Sequence, residues 1–227
     1  MNASIPRRQF LETSAAALAS ALWGTRVGAA TGARLAVGVR DVMLPRDAGK
    51  DSWAALRAIG GQSIELNVRE DLSLPSLFHP QRTYTAATDA GIKQLADDAG
   101  AAGCRIAAFC MSNRFDDRPE EEVEWCGKLA RAAQKLGVPA IRIDVVPRKL
   151  PAAKFLDFAV GEMKKVMAAT ESTGVGFGIE NHGRTTNDPE FLRPLFERVG
   201  AKRLGLTLDI GNFYWFGHPL SKIYELC

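Results

Sequence analysis

Histidine is scarce, with three in 227 residues: His79, His182 and His218. Chemistry that rests on several imidazoles gathered around clustered metal ions is therefore poorly served. Charge of one sign is scarce too. Lys and Arg number 29 against 26 Asp and Glu, a formal net charge of +3. Arg7, Arg8 and Arg26 against Glu12 put two of those charges near the N-terminus. The near-neutral remainder has no basic run to follow a phosphate backbone, which excludes nucleic acid as the expected partner. Glycine is missing from Asp41-Val42-Met43-Leu44-Pro45 after the first strand candidate, which argues against a dinucleotide-binding loop. Cys104, Cys110, Cys126 and Cys227 match no zinc-ligand spacing. Cys104 and Cys110 share one predicted strand at same-face spacing, too far apart to bond each other, and buried structural thiols are expected.

Long apolar runs are also lacking. Ser14 to Trp23 is a weakly apolar stretch, about half of the roughly 20 residues a helix needs to cross a bilayer, so no permanent membrane span is expected. Its setting is informative. Pro6-Arg7-Arg8-Gln9-Phe10-Leu11 precedes it and the small residues Val27-Gly28-Ala29 follow it. The order of paired arginines, apolar run and cleavable small residues resembles a twin-arginine export signal over residues 1–29. A periplasmic or otherwise extracytoplasmic location is the expectation, with residues 30–227 as one domain. A hydrophobic content of 46% with 24% charged residues suits one sizeable core.

Beyond residue 30 the chain alternates short β-branched runs with longer amphipathic stretches, the pattern of parallel strands joined by crossover helices. Six strands are predicted: Leu35 to Leu44, Ser63 to Val68, Cys104 to Met111, Ala140 to Val146, Val175 to Asn181 and Arg203 to Asp209. Helices are predicted over Ser52 to Ile59, Thr85 to Ala101, Glu120 to Leu136, Ala152 to Ser172 and Pro189 to Val199, with a sixth starting near Pro219. Pro119 before three glutamates marks a helix start, Lys135-Leu136-Gly137 a helix stop, and Asn187-Asp188-Pro189-Glu190 another start. The fold class is α/β. A (β/α) barrel of the TIM type, incomplete at about six βα units, accounts for the placement of Asp41, Glu65, Asn67, Asn113, Arg142, Asp144, Glu180, Asn181, His182 and Asp209 at or just beyond strand ends.

Two segments carry the chemistry: Gly178-Ile179-Glu180-Asn181-His182-Gly183, and Leu206-Thr207-Leu208-Asp209-Ile210-Gly211-Asn212-Phe213. Each puts a carboxylate at the end of an apolar strand and follows it with glycine, so that two anionic oxygen donors on consecutive strands converge. Hard divalent cations favour such donors; Mg²⁺ and Mn²⁺ accept carboxylates and water, and Zn²⁺ also takes an imidazole.

The Glu-Asn-His and Leu-Asp-x-Gly-Asn motifs resemble those of the xylose isomerase-like barrel family, which includes sugar phosphate isomerases and epimerases. Ile64-Glu65 and Ile141-Arg142 support the resemblance, which runs from about Leu35 onward. It implies Glu180 and Asp209 as ligands of a divalent metal (Mn, Mg or Zn), with Glu180 also catalytic, one of an acid/base pair that moves a proton at the carbon next to a sugar carbonyl. Glu65, Arg142, His182 and Asn212 are the substrate-binding candidates for a small-molecule sugar. Phe213-Tyr214-Trp215-Phe216 offers an aromatic wall for a sugar's apolar face.

The family completes its site with a histidine from a seventh strand and a glutamate from an eighth, and the sequence ends at Cys227 before either. His182 follows the fifth strand and His218 the sixth, so neither holds the seventh-strand position. Asn212 stands where some epimerases of the family carry histidine. An alternative expectation is therefore a shortened, catalytically inactive barrel that retains sugar or metal binding. A six-stranded sheet has two open edges, which a homo-oligomer could close. Phosphodiester cleavage, as in the related apurinic endonucleases, fits worse because its histidine-rich metal cluster has no counterpart here.

Overall fold

The structure, a computed structural model, describes residues 37–218 and Ser221. The export-signal segment, Cys227 and the helix expected near Pro219 lie outside the described residues. Six strands, β1 (Gly38–Arg40), β2 (Ser63–Asn67), β3 (Arg105–Cys110), β4 (Ala140–Ile143), β5 (Gly176–Glu180) and β6 (Leu204–Thr207), form one sheet in chain order. Every pairing is parallel. The helices are α1 (Ser52–Ala58), α2 (Asp89–Ala101), α3 (Pro119–Leu136), α4 (Ala152–Ala169), α5 (Gly183–Thr186), α6 (Pro189–Val199) and α7 (Ile210–Trp215). This strand–helix alternation with neighbouring strands paired in order is the TIM-barrel arrangement, present here as an open six-stranded sheet.

Local chemistry sets the element ends. In α3, Pro119 supplies a fixed φ at the first turn, Glu120, Glu121 and Glu122 face the positive end of the dipole, and Gly137 closes the helix at φ 70°. α3 buries Trp125, Cys126, Leu129, Ala130 and Ala133, the three- and four-residue spacing of a core-facing stripe. The second helix starts four residues later than the sequence predicts. Tyr84 and Ala86 exchange backbone hydrogen bonds with Leu74 and Leu72, drawing the segment into an antiparallel contact. The Thr88 hydroxyl then caps α2 by accepting from Gly91 N–H. β1 ends earlier than predicted because Asp41 turns the chain: its carboxylate accepts from Val42 N–H at 2.7 Å and Asn67 N–H at 2.9 Å, and Asp41–Met43 coils into a 3₁₀ turn.

The core lies between the sheet and its helices. Ile64, Leu66, Phe109, Ile141, Ile143, Phe177 and Ile179 project from one face of the sheet onto Leu95, Leu129, Phe155, Met163, Val166 and Leu195, all buried. α2 packs on α3, α3 on α4 and α4 on α6. β3 carries an irregularity: Ile64 pairs with Ile106 but Glu65 pairs with Ala108, leaving Ala107 as an extra residue. From there Ala108 and Cys110 share the face of Glu65 and Asn67, and Phe109 stays in the core.

The opposite face of the sheet is a trough of about 440 Å³ lined by small residues, among them Ala108, Ala140, Gly176, Gly178 and Gly205. Arg142, Glu65 and Thr207 also line it. Among the described residues, no helix is long and apolar enough to cross a membrane.

Candidate active site

Parallel β4 and β5 pair Arg142 with Gly178 and Ile143 with Ile179. Side chains alternate along strands, so Arg142 and Asp144 on one strand and Glu180 on the next face the same side. Arg142 is the hub. Its Nη1 lies 2.6 Å from Glu180 Oε1, its Nε 3.7 Å from Glu65 Oε1 and its Nη2 4.0 Å from Asp144 Oδ1. Arg40 adds a second cation, with Nε 3.5 Å from Glu65 Oε2 and Nη2 donating to Cys110 Sγ at 3.3 Å.

The site is partly withdrawn from water, and its acids respond. Burial pushes the Glu180 pKa above the usual carboxylate range against the pull of Arg142, with Asp144 raising it further. Burial likewise raises Glu65 against Arg142 and Arg40. For Arg142, burial acts to lower the pKa, and Cys110, Glu180, Glu65 and Asp144 outweigh it. These are acids tuned upward beside a cation that stays charged.

Asp144 and His182 complete a tighter group. One donor atom each from Asp144, Glu180 and His182 lie within 4.8 Å of one another. His182 Nδ1 is 3.5 Å from Glu180 Oε2 and 4.0 Å from Asp144 Oδ1. The Asp144 backbone N–H donates to Asn113 Oδ1 at 3.3 Å; Asn113 Nδ2 donates to the fully buried Glu122 at 2.7 Å, and Glu122 also takes a bond from Arg118 Nε. His182 is held by its backbone, which exchanges hydrogen bonds with the Thr186 hydroxyl in α5. Its ring projects outward with 61% of the side chain exposed, so it borders the open side of the group.

Asp209 follows β6 and caps α7, its Oδ1 accepting from Asn212 N–H at 3.0 Å. It is near enough to Glu180 to raise that residue's pKa. Asn181, fully buried, joins the two strand ends: its Nδ2 donates to Asp209 O at 2.7 Å and its Oδ1 accepts from Asp209 N–H at 2.7 Å. Asn212 Nδ2 returns a bond to Asn181 O at 2.9 Å. Of the residues expected from sequence, Glu65, Arg142, Glu180 and His182 thus converge, and Asp209 with Asn212 stands beside them. His79 lies elsewhere, accepting from Gln81 N–H. Phe213 is buried in the core, whereas Tyr214, Trp215 and Phe216 are exposed.

Sequence reasoning placed Asp144 at a strand end without giving it a role. The available signal was parity, because Asp144 follows β4 directly, two residues after Arg142, and must share the face that Glu180 shares. Asn113 was likewise placed at a strand end without a role, whereas Cys110 and Glu122 carried no comparable signal.

A model of the xylose isomerase-like TIM barrel matches residues 53–226. The chain belongs to the xylose isomerase-like TIM barrel family. No curated protein sequence matches it. Solved barrels of similar fold include a sugar phosphate isomerase/epimerase from Parabacteroides distasonis (13% identity, TM-score 0.62, covering 89% of this chain and 75% of that one). Another is the IOLI protein with a bound zinc atom (16% identity, TM-score 0.61, 83% and 68%). A third is a xylose isomerase-like TIM barrel protein from Mycobacterium smegmatis in complex with magnesium (17% identity, TM-score 0.58, 77% and 61%). The family's fold accounts for the site's location, since the converging residues stand at the C-terminal ends of β2, β4, β5 and β6.

Proposed function

We propose that the protein is a divalent-metal-dependent sugar isomerase or epimerase that moves a proton at the carbon next to a sugar carbonyl. The observation that carries this reading is Glu180, a half-buried carboxylate at the mouth of the sheet whose pKa is raised by burial. Such an acid is suited to taking a proton and returning it. The donor chemistry fits a divalent ion: carboxylates, an imidazole, and a buried Asp144 Oδ1 that has no hydrogen-bond partner. Glu180 and Asp209 are the ligands of this reading. A bound divalent cation supplies charge to polarise the carbonyl oxygen.

The chain's own residues do the rest. Glu180 takes and returns the proton. Arg142 holds Glu180 Oε1 and keeps its orientation fixed. Glu65, Arg142, His182 and Asn212 face the sugar, and the glycine- and alanine-lined trough gives its carbon skeleton room. Export by the twin-arginine route belongs to the same proposal, supported by Arg7-Arg8 and the apolar run after them. So does self-association: β1 and β6 each pair on one side among the described residues, and Leu208, Ile210 and Trp215 beside β6 are exposed.

The test is proton exchange. Pentoses and hexoses incubated with the purified protein and Mn²⁺ in D₂O should gain deuterium at the carbon next to the carbonyl, and Glu180→Gln should remove the signal. Metal binding with no exchange on any sugar would replace this reading with that of a binding protein.

A further inference from the structure

We infer that Asp144 and His182 are metal ligands in addition to the Glu180 and Asp209 of the proposed reading, with His182 meeting the metal rather than the sugar; Asp144 follows β4, and Glu180 and His182 come from the end of β5 and the turn after it. The inference rests on the reading that the site holds a divalent cation and specifies which side chains grip it and which class of cation they select.

Four observations point the same way. First, one donor atom of each of Asp144, Glu180 and His182 lies within 4.8 Å of the others. Donors bound to one tetrahedral ion at about 2.0–2.1 Å stand roughly 3.4 Å apart, and His182 Nδ1 is 3.5 Å from Glu180 Oε2 and 4.0 Å from Asp144 Oδ1. Second, Asp144 is 6% exposed, yet its Oδ1 is fully enclosed and makes no hydrogen bond. Buried carboxylate oxygens are normally satisfied, and this one stands 4.0 Å from both Arg142 Nη2 and His182 Nδ1, beyond hydrogen-bond reach of either.

Third, the oxygens of Glu180 are divided between neighbours. Oε1 is taken by Arg142, which leaves Oε2 as the oxygen nearest His182. The arginine thus presents one defined oxygen rather than competing for both. Fourth, the local charge is unbalanced. Glu65, Asp144 and Glu180 pair with Arg142, and Glu65 also with Arg40, while Asp209 acts on Glu180 and Asp41 on Arg40 and Glu65, so carboxylates outnumber guanidiniums, an excess that a dication offsets.

The imidazole decides the class of ion. Mg²⁺ favours oxygen ligands and retains water, whereas Zn²⁺, Co²⁺ and Mn²⁺ accept an imidazole nitrogen. The site should therefore prefer Zn²⁺ or Co²⁺ to Mg²⁺ by well over tenfold.

The experiment is titration of tag-free protein, labelled with ¹⁵N-histidine, with Zn²⁺, together with calorimetry using Zn²⁺, Co²⁺ and Mg²⁺. The ring nitrogens of His182 should shift on adding one equivalent of Zn²⁺ while those of His79 and His218 do not. Asp144→Asn and His182→Gln should each weaken Zn²⁺ binding at least tenfold, with unchanged melting curves in the absence of metal. An unmoved His182 resonance and undiminished affinity in both variants, with binding still abolished by Glu180→Gln, would overturn this ligand set and leave the metal-dependent reading standing. Absence of any saturable binding to the parent protein would overturn both.

Discussion

Arg142 Nη1 and Glu180 Oε1, on adjacent parallel strands, lie 2.6 Å apart at the floor of the site. The guanidinium is 7% exposed and the carboxylate 13%, so each is withdrawn from water on the strength of the other. Removing one partner of such a pair leaves a buried charge uncompensated.

Arg142→Met should accordingly destabilise the fold by about 3–5 kcal/mol at pH 7. Urea denaturation measures it. The loss should shrink as the pH falls toward 5, because Glu65 and Glu180, already raised by burial, will take up protons more readily without the cation. A loss that is independent of pH would mean that packing, not charge, is what Arg142 supplies.

Asn181 should matter for a different reason. It serves Asp209 N–H and O and the Asn187 side chain from a fully buried position. Asn181→Ala leaves those groups unpaired and should cost about 2–4 kcal/mol. Hydrogen exchange should show faster exchange at Asp209 and Asn212, since the cap of α7 depends on the same turn, and little change in α3.

Asp41 predicts a pH dependence of stability. Its pKa is raised to about 6, chiefly by burial, with hydrogen bonds from Asn67 and Val42 pulling it down. The folded chain thus holds a proton that the unfolded chain releases near the ordinary aspartate pKa of about 4. The Asp41 contribution is fully present below about pH 4 and is lost as the pH rises to about 6. Denaturation midpoints across this window should show that downward slope in the parent protein and a smaller one in Asp41→Asn.

Gly178 tests how tightly β5 and β6 approach. A Cβ there would fall well inside van der Waals contact with Thr207 Oγ1. Gly178→Ala should cost about 1–3 kcal/mol, and Thr207→Ala added to it should recover most of the loss. A double variant no better than the single one would place the strain elsewhere.

Much of the fold was legible in the sequence because the parallel strands are short apolar runs and the helices carry their own stops. Pro189–Val199 is found with the boundaries expected, and all six strands occur. The errors fall where side chains redirect the backbone. Asp41 ends β1 early, and Thr88 with the Leu72–Ala86 contact delays α2. Both depend on partners distant in sequence that no local pattern announces. α5 and α7 were missed since one spans Gly183–Thr186 and the other Ile210–Trp215, too short for a periodic stripe to register. Within the site, Glu180 and Arg142 stood out by position and charge. Asp144 did not, since parity gives only its face, and that its Oδ1 is enclosed without a hydrogen bond is a property of the folded chain alone.

The extra residue at Ala107 has a consequence for how changes in this chain are tolerated. Ile106 and Phe109 are three apart and both reach the core, which strict alternation forbids. The two ends of β3 therefore keep independent phases, joined by a residue that belongs to neither. Deleting Ala107 would bring Ile106 and Phe109 two apart, so that plain alternation would carry both into the core and leave Ala108 and Cys110 on the trough face. The bulge thus absorbs one residue of length without changing which side chains of β3 reach the core.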